Sequence, residues 1–325
     1  MKDRLPELIG KQGESLREAF GKALVKYSEE FPDFIVLDAD IAGGTGTHHF
    51  RKSNPERFYQ FGIAEQNMMA AAGGIAATGL IPIVTTFAVF MLRAMEQARL
   101  SIAYPKMNVK IVASHPGLDV GPDGASAQCF EDLAAYRAIP NMVVISPCDP
   151  LEIELATKSI LEYNGPVYMR SGRSSSVSFL PKDYKFKIGK GQIIKEGNEV
   201  TIIGCGVTTY RALQAANQLQ NEGVSVRVVN MSTIKPIDKE LIIQCSKETN
   251  AIITVEDHNV IGGLGSAVSE VIVQNNPIKM KLLGIQDVFG ESGEPDELAK
   301  KYGIDSDGIK KEILNLVKTI NNEIK

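Results

Sequence analysis

A few stretches of this 325-residue chain combine side chains that could do chemistry with spacing that would bring them together. The first is Phe61-Gly62-Ile63-Ala64-Glu65-Gln66-Asn67-Met68. Glu65 follows a strand-like segment, 57–61, and a Gly-Ile-Ala turn, and it opens an Ala- and Gly-rich helix expected from Gln66 to about Thr78. A carboxylate at a helix start is favoured by the positive end of the helix dipole, so position alone gives it an ordinary structural reading. Gly73 and Gly74 point further, because a glycine inside a helix costs about 1 kcal/mol against alanine and so marks a close approach. Ile81 to Phe87 then reads as a buried strand that presents Phe87 at its carboxyl end. Three more stretches fall at the ends of expected strands, where a doubly wound sheet places ligand contacts. They are Asp38-Ala39-Asp40 with the loop Gly43-Gly44-Thr45-Gly46-Thr47, the long loop Ser114 to Gln128 carrying His115 and Asp123, and Arg170-Ser171-Gly172-Arg173. Arginines at such a place suit phosphate, since a planar guanidinium can hold two oxygens at once. Taken singly, the glycine-rich loop also reads as a plain turn and His115 as a structural histidine.

The elements that must position these residues follow a strand and helix alternation. Glu14 to Ser28 has helical spacing, with Leu16, Ala19, Phe20, Ala23, Leu24 and Tyr27 on one side, and 34–37 is a buried strand. Beyond it we expect strands at 81–87, 109–114, 142–146 and 166–170, with helices at 88–103, 131–138 and 150–162, which is the signature of a parallel sheet with crossover helices. Ser174 to Lys190 turns Ser-rich, then Lys-rich, and lacks an apolar period; it reads as a connector. A second alternation has strands at 200–203, 224–229, 251–255 and 279–283 and helices near 207–222, 238–247, 264–275 and 305–321. The fold class is therefore α/β with two domains, 1–180 and 193–325, joined by a linker at 181–192. Gly262-Gly263-x-Gly265 lacks the full dinucleotide spacing and reads as a tight turn, with His258 structural beside it.

Composition sets bounds. An apolar fraction of 44% suits sizeable cores, and a net charge of −4 without long blocks of one sign gives no support to a nucleic-acid or membrane surface. Cys129, Cys148, Cys205 and Cys245 are far apart, form no Cys-x-x-Cys pair, and suggest reduced thiols in a cytoplasmic protein. Met1 to Gly10 has charges and a proline where a signal peptide would have an apolar core, and no run of about 18 apolar residues occurs.

The run Gly-Ile-Ala-Glu-Gln-Asn-Met, the small-residue helix and Pro82-Ile-Val-Thr-Thr-Phe-Ala-Val-Phe90 together resemble the pyrimidine-binding domain of transketolases. The resemblance implies that Glu65 hydrogen-bonds the aminopyrimidine ring of thiamine diphosphate, that Phe87 stacks on that ring with Phe90 beside it, and that Asp40 lies near the thiazole. A buried acid must donate or share a proton there, and burial among Ile63, Ala64 and Met68 would raise its pKa. The same comparison places Arg17, His115 and Arg173 on the phosphate of the sugar and Asp123 on a substrate hydroxyl. Arg170 is left as structural. Val255-Glu256-Asp257-His258 and Ile261 to Gly265 resemble the transketolase carboxyl-terminal domain.

The resemblance spans the whole chain but only about the carboxyl-terminal half of a full transketolase. The amino-terminal Gly-Asp-Gly motif and its downstream asparagine, which hold magnesium and the cofactor's diphosphate, have no counterpart; Gly121-Pro122-Asp123-Gly124 is the nearest string. We therefore expect no metal ligands in this chain, a partner subunit that carries the diphosphate and magnesium, and a dimer of such pairs acting on sugar phosphates. The beta subunit of a 2-oxo acid dehydrogenase and a deoxyxylulose-phosphate synthase fragment are weaker fits, and a non-catalytic homologue is disfavoured by Glu65 and Phe87. One departure bears on selectivity: many transketolases have a histidine at the place of Ala127.

Overall fold

The computed structural model describes residues 11–323, so the reading of Met1 to Gly10 lies outside the described residues. The first half runs β1 (Lys11–Ser15), α1 (Leu16–Tyr27), β2 (Phe34–Asp38), α2 (Ala42–Thr45), α3 (His48–Ser53), β3 (Phe58–Gln60), α4 (Glu65–Ala76) and β4 (Ile81–Phe87). It continues through α5 (Ala88–Met91), α6 (Met95–Gln97), β5 (Lys110–Ser114), α7 (Asp132–Ala138), β6 (Val143–Ile145), α8 (Pro150–Glu162), β7 (Val167–Ser171) and β8 (Ser175–Ser178). The second half contains β9 (Gln192–Lys195), β10 (Val200–Gly204), α9 (Thr208–Gln220), β11 (Val226–Asn230), β12 (Thr233–Lys235), α10 (Lys239–Glu248) and β13 (Ala251–Asn259). It ends in α11 (Leu264–Asn275), β14 (Lys279–Ile285), α12 (Pro295–Lys301) and α13 (Ser306–Glu323).

Two mainly parallel sheets result. The larger has the order β12-β6-β7-β5-β4-β2-β3 and is parallel except at β12; the smaller has the order β14-β13-β10-β11-β9 and is parallel except at β9. Strands β2, β5 and β7 are buried along their whole length, as mainly apolar strands covered by helices on both faces should be. From β2 the chain crosses to β3 on one side, whereas from β4 it crosses to β5 on the other. The carboxyl ends of the paired strands β2 and β4 thus form a topological switch point, the place where such sheets open a crevice.

Several expectations need correction. The helix expected from Glu14 begins at Leu16, because Ser15 caps it, its side chain accepting the N–H of Glu18, while 11–15 pairs with β8. That pairing also removes Ser175–Ser178 from the stretch read as a connector. The helix expected over 88–103 is broken into α5, a 3-10 turn Leu92–Ala94, α6 and a π-helical segment Ala98–Ala103. Of the two helix glycines only Gly73 meets a close neighbour, the Ser101 backbone carbonyl of that π-helical segment; Gly74 faces open space. β12 was not foreseen: three residues of the second half add an antiparallel edge to the first half's sheet.

The halves are locked by buried polar contacts. Glu152 of α8 accepts from Asn230 and Ser232, Arg170 donates to the Asp257 carbonyl, and the Asp257 carboxylate accepts from the Leu118 amide. Apolar residues of both halves share one continuous core cluster, from Leu37 and Met68 to Val229 and Leu264. No helix among the described residues is long and apolar enough to cross a membrane, and the four cysteines are free and buried.

Candidate active site

The crevice at the switch point is organised by Asp38, the last residue of β2. Its carboxylate accepts from the Ile41 amide at 2.8 Å and Gln60 Nε2 at 2.9 Å, and from the Thr45, Thr47 and Thr85 hydroxyls at 3.4–3.5 Å. Gln60 Oε1 in turn accepts from the amides of Asp40 and Gly62. These bonds hold Asp40 at a left-handed φ of 63°, with its side chain exposed and, among the described residues, unpartnered. Of the two acids, Asp38 builds the loop and Asp40 is presented by it.

The glycine-rich loop lies directly on Phe87. A Cβ at Gly44 would come within 2.6 Å of the Phe87 ring, so glycine is what lets the two touch. Arg17 donates to the Gly43 and Gly44 carbonyls at 3.4 and 3.2 Å, and Ser114 Oγ reaches Gly44 O at 3.1 Å. Phe87 stacks on His115 with centroids 3.6 Å apart and on Phe90 at 5.5 Å. His115 is 3% exposed, has φ 59°, and holds Nδ1 2.6 Å from Ser114 Oγ. Burial, with the charges of Arg17 and Arg173, pushes its pKa down to about 3, so the ring is neutral.

Asp123 and Arg173 face each other at 3.7 Å, both partly exposed. The loop carrying Asp123 is more ordered than a free loop: its 3-10 turns, Leu118–Asp123, bury Asp119, which accepts from the Ser174 amide and so fixes the residues around Arg173. Arg17, His115, Arg173 and Asp123 are therefore brought to one side of the crevice. Arg170 is not among them: it is buried, bound through both arms of its guanidinium to Asp132, which also accepts from Tyr168 OH at 2.5 Å.

Glu65 is the first residue of α4 and is 5% exposed. The apolar shell foreseen for it is incomplete, since Ile63 is 82% exposed. Its carboxylate instead meets Arg93, whose Nε lies 3.5 Å from Oε2. Arg93 carried no signal in the sequence, because it reaches Glu65 from a 3-10 turn rather than from a helix face. Gln128, next to Ala127, is spoken for: its Nε2 donates to the Glu291 carbonyl at 2.9 Å. The turn before α11 has its own anion, with the Leu264 and Gly265 amides donating to Glu256, whose pKa burial pushes up to about 7. His258 is buried and accepts from the Ala134 amide through Nε2.

The family model for the transketolase pyrimidine-binding domain matches residues 12–177, and that for the transketolase C-terminal domain matches 189–309. A Methanocaldococcus jannaschii protein, provisionally named as a transketolase C-terminal section, is 46% identical over 93% of this chain and 96% of its own length. A 6-deoxy-6-sulfo-D-fructose transketolase subunit of Clostridium sp. is 36% identical over 89% of this chain and 90% of its own. Among solved structures, one described as a split-gene transketolase in an inactive β4 tetramer superimposes with a TM-score of 0.88 at 46% identity, covering 94% of this chain and 99% of that one.

Proposed function

Because the chain belongs to the transketolase family, we propose that it is the pyrimidine-binding and carboxyl-terminal subunit of a two-part, thiamine diphosphate-dependent transketolase. With a separate diphosphate-binding subunit it would move a two-carbon ketol unit from a ketose phosphate to an aldose phosphate. The observation that carries this reading is Glu65. It is a largely buried carboxylate at the start of α4 that, among the described residues, accepts no hydrogen bond; its one partner is the ion pair with Arg93, which is 71% exposed. Such a carboxylate, with accepting capacity left over, suits a donor from outside the chain such as a protonated ring nitrogen. Phe87, at the end of the strand that follows α4, adds an aromatic ring already stacked on His115 and Phe90, and these residue types fit the pyrimidine end of the cofactor.

When bound, thiamine diphosphate supplies the electron sink that a transferred ketol carbanion needs. The chain's own residues bind, orient and hold protons. Glu65 holds a proton at the ring nitrogen, Phe87 fixes the ring plane, and Phe90 backs Phe87. Asp40, carried on the loop that Asp38 builds, faces the reacting end. Arg17, Arg173 and His115 take the sugar phosphate: Ser114 has a single hydroxyl proton, and when an anion binds and that proton goes to His115 Nδ1 instead of the Gly44 carbonyl, the neutral imidazole carries its own on Nε2. Asp123 takes a sugar hydroxyl in exchange for part of its pairing with Arg173.

The diphosphate and magnesium are assigned to the partner, which supplies the motif this sequence lacks. The split-gene homologue described as an inactive β4 tetramer supports both self-association of this subunit and its dependence on another, and we propose a dimer of pairs. Four unpaired cysteines accord with a cytoplasmic setting. The relative named for a sulfonated fructose makes a sugar panel the informative assay. The chain should be mixed with the candidate diphosphate-binding subunit, thiamine diphosphate and magnesium, and presented with ketose donors and aldose acceptors. Ketol transfer to at least one acceptor is expected; a mixed complex that forms and transfers no ketol unit contradicts the assignment.

A further inference from the structure

Two of the chain's four histidines are adjacent, and they face an acid on another helix. Glu18 lies in the first turn of α1, and His48 and His49 open α3. His49 Nε2 is 2.7 Å from Glu18 Oε2, the two imidazole centroids are 4.0 Å apart, and one ligand atom from each of the three residues lies within 4.8 Å of the other two. Gly21 lets α1 lie against this segment: a Cβ there would come within 2.0 Å of the Gly46 carbonyl oxygen and 3.1 Å of His49 Cδ2. His48 Nδ1 is sealed from solvent and has no hydrogen-bond partner, a buried polar atom that calls for an explanation. Burial raises the Glu18 carboxyl, but the hydrogen bond from His49 and the charges of His48, His49 and Arg17 outweigh it and hold the group below its ordinary value.

We propose that Glu18, His48 and His49 bind one divalent transition-metal ion of the zinc, cobalt or nickel class. Two imidazoles and a carboxylate are a donor set such ions take, and three protein ligands leave a further position for water or an anion. Bonds of about 2.0–2.2 Å place tetrahedral ligand atoms roughly 3.4 Å apart. His49 and Glu18, with 31% and 29% of their side chains exposed, have room to close toward that spacing. The ion replaces the His49–Glu18 hydrogen bond and clips α1 to the segment that follows the glycine-rich loop. Arg17, beside Glu18, already donates to two carbonyls of that loop, so the clip steadies the helix that presents Arg17. The site is separate from the magnesium assigned to the partner, because imidazoles are poor ligands for that hard ion.

The test uses the full chain with any affinity tag removed. Zn²⁺ is titrated by calorimetry, and Co²⁺ is added in parallel so that its visible absorption reports coordination and its displacement by Zn²⁺ reports a shared site. One equivalent per chain is expected, with affinity falling at least about tenfold in His48→Ala and in Glu18→Gln, since loss of even an outer partner of a metal ligand costs that much. His48→Ala removes no side-chain hydrogen bond and should keep the wild-type circular dichroism spectrum, so it decides the matter if Glu18→Gln fails to fold. Absence of binding by the wild-type chain, or a fall smaller than tenfold in His48→Ala, overturns the site and leaves Glu18 and His49 as a hydrogen-bonded pair.

Discussion

Replacing His115 by asparagine should make the folded chain less sensitive to acid. The native ring is held neutral, with its pKa pushed down to about 3 by burial and by Arg17 and Arg173. In the unfolded chain the same imidazole titrates near 6.5 (an approximate reference value), so between these limits the unfolded state binds a proton that the native state refuses. A base whose folded pKa is depressed costs the fold nothing above about pH 6.5 and destabilises it increasingly as pH falls toward 3, at about 1.4 kcal/mol per unit. From pH 7 to pH 5 the loss assignable to this one group is about 2 kcal/mol. Asparagine suits the test because it tolerates the left-handed backbone that His115 adopts at φ 59°. Urea unfolding followed by circular dichroism at pH 7, 6 and 5 should give a wild-type stability that falls by about 2 kcal/mol more than that of His115→Asn. His258, depressed to about 4, and Glu256, raised to about 7, remain in both proteins and cancel in the difference. A difference below about 0.5 kcal/mol would mean that His115 protonates in the folded state as readily as in the unfolded one, and the neutral, doubly flanked imidazole would be refuted.

Other outcomes follow from the same geometry. Asp132→Ala strands the buried Arg170 guanidinium and should cost about 3–5 kcal/mol in chemical denaturation; a loss under about 1 kcal/mol would show the pair to be solvated. Glu65→Gln should leave the circular dichroism and melting of the chain near wild type while lowering the turnover of the assembled enzyme about 100- to 10,000-fold, and near-full activity would sink the role given to Glu65. Ala127→His should change the ratio of kcat/KM across a donor panel, because Gln128 is engaged with Glu291 and leaves a substrate oxygen at this place without a local donor; a contact of that kind is worth about 1.5–3 kcal/mol, so ratios constant within about twofold would place Ala127 away from the sugar.

Much of this architecture is legible in the sequence, because parallel strands buried on both faces are continuous apolar runs and their crossover helices have a helical period. Phe34–Asp38, Ile81–Phe87 and Pro150–Glu162 follow directly from that patterning. Polar pairings are less visible. Ser175–Ser178 pairs with Lys11–Ser15 through backbone bonds that any residue can make, so its serines read as a connector. Thr233–Lys235 is too short to show a period and joins a sheet that begins far away in the chain. At the site, the places of Glu65 at a helix start and Phe87 at a strand end are local features legible in the sequence, while the roles expected of them come from the resemblance. The structural part of Asp38 is not legible there, since only the fold brings Thr45, Thr47, Thr85 and Gln60 onto one carboxylate. Arg93 and the grouping of Glu18 with His48 and His49 likewise depend on how separate segments pack, although the paired histidines were a visible cue.

The central claim is that this chain holds the pyrimidine-binding half of an active site and depends on another subunit for the diphosphate and metal. The most direct measurement is ketol transfer by a fixed concentration of this chain, with saturating thiamine diphosphate and magnesium, while the diphosphate-binding subunit is titrated in. Activity should be absent without the partner, rise with it, and level off at a fixed ratio of the two chains. Turnover by the chain alone at ordinary protein concentration would contradict the account.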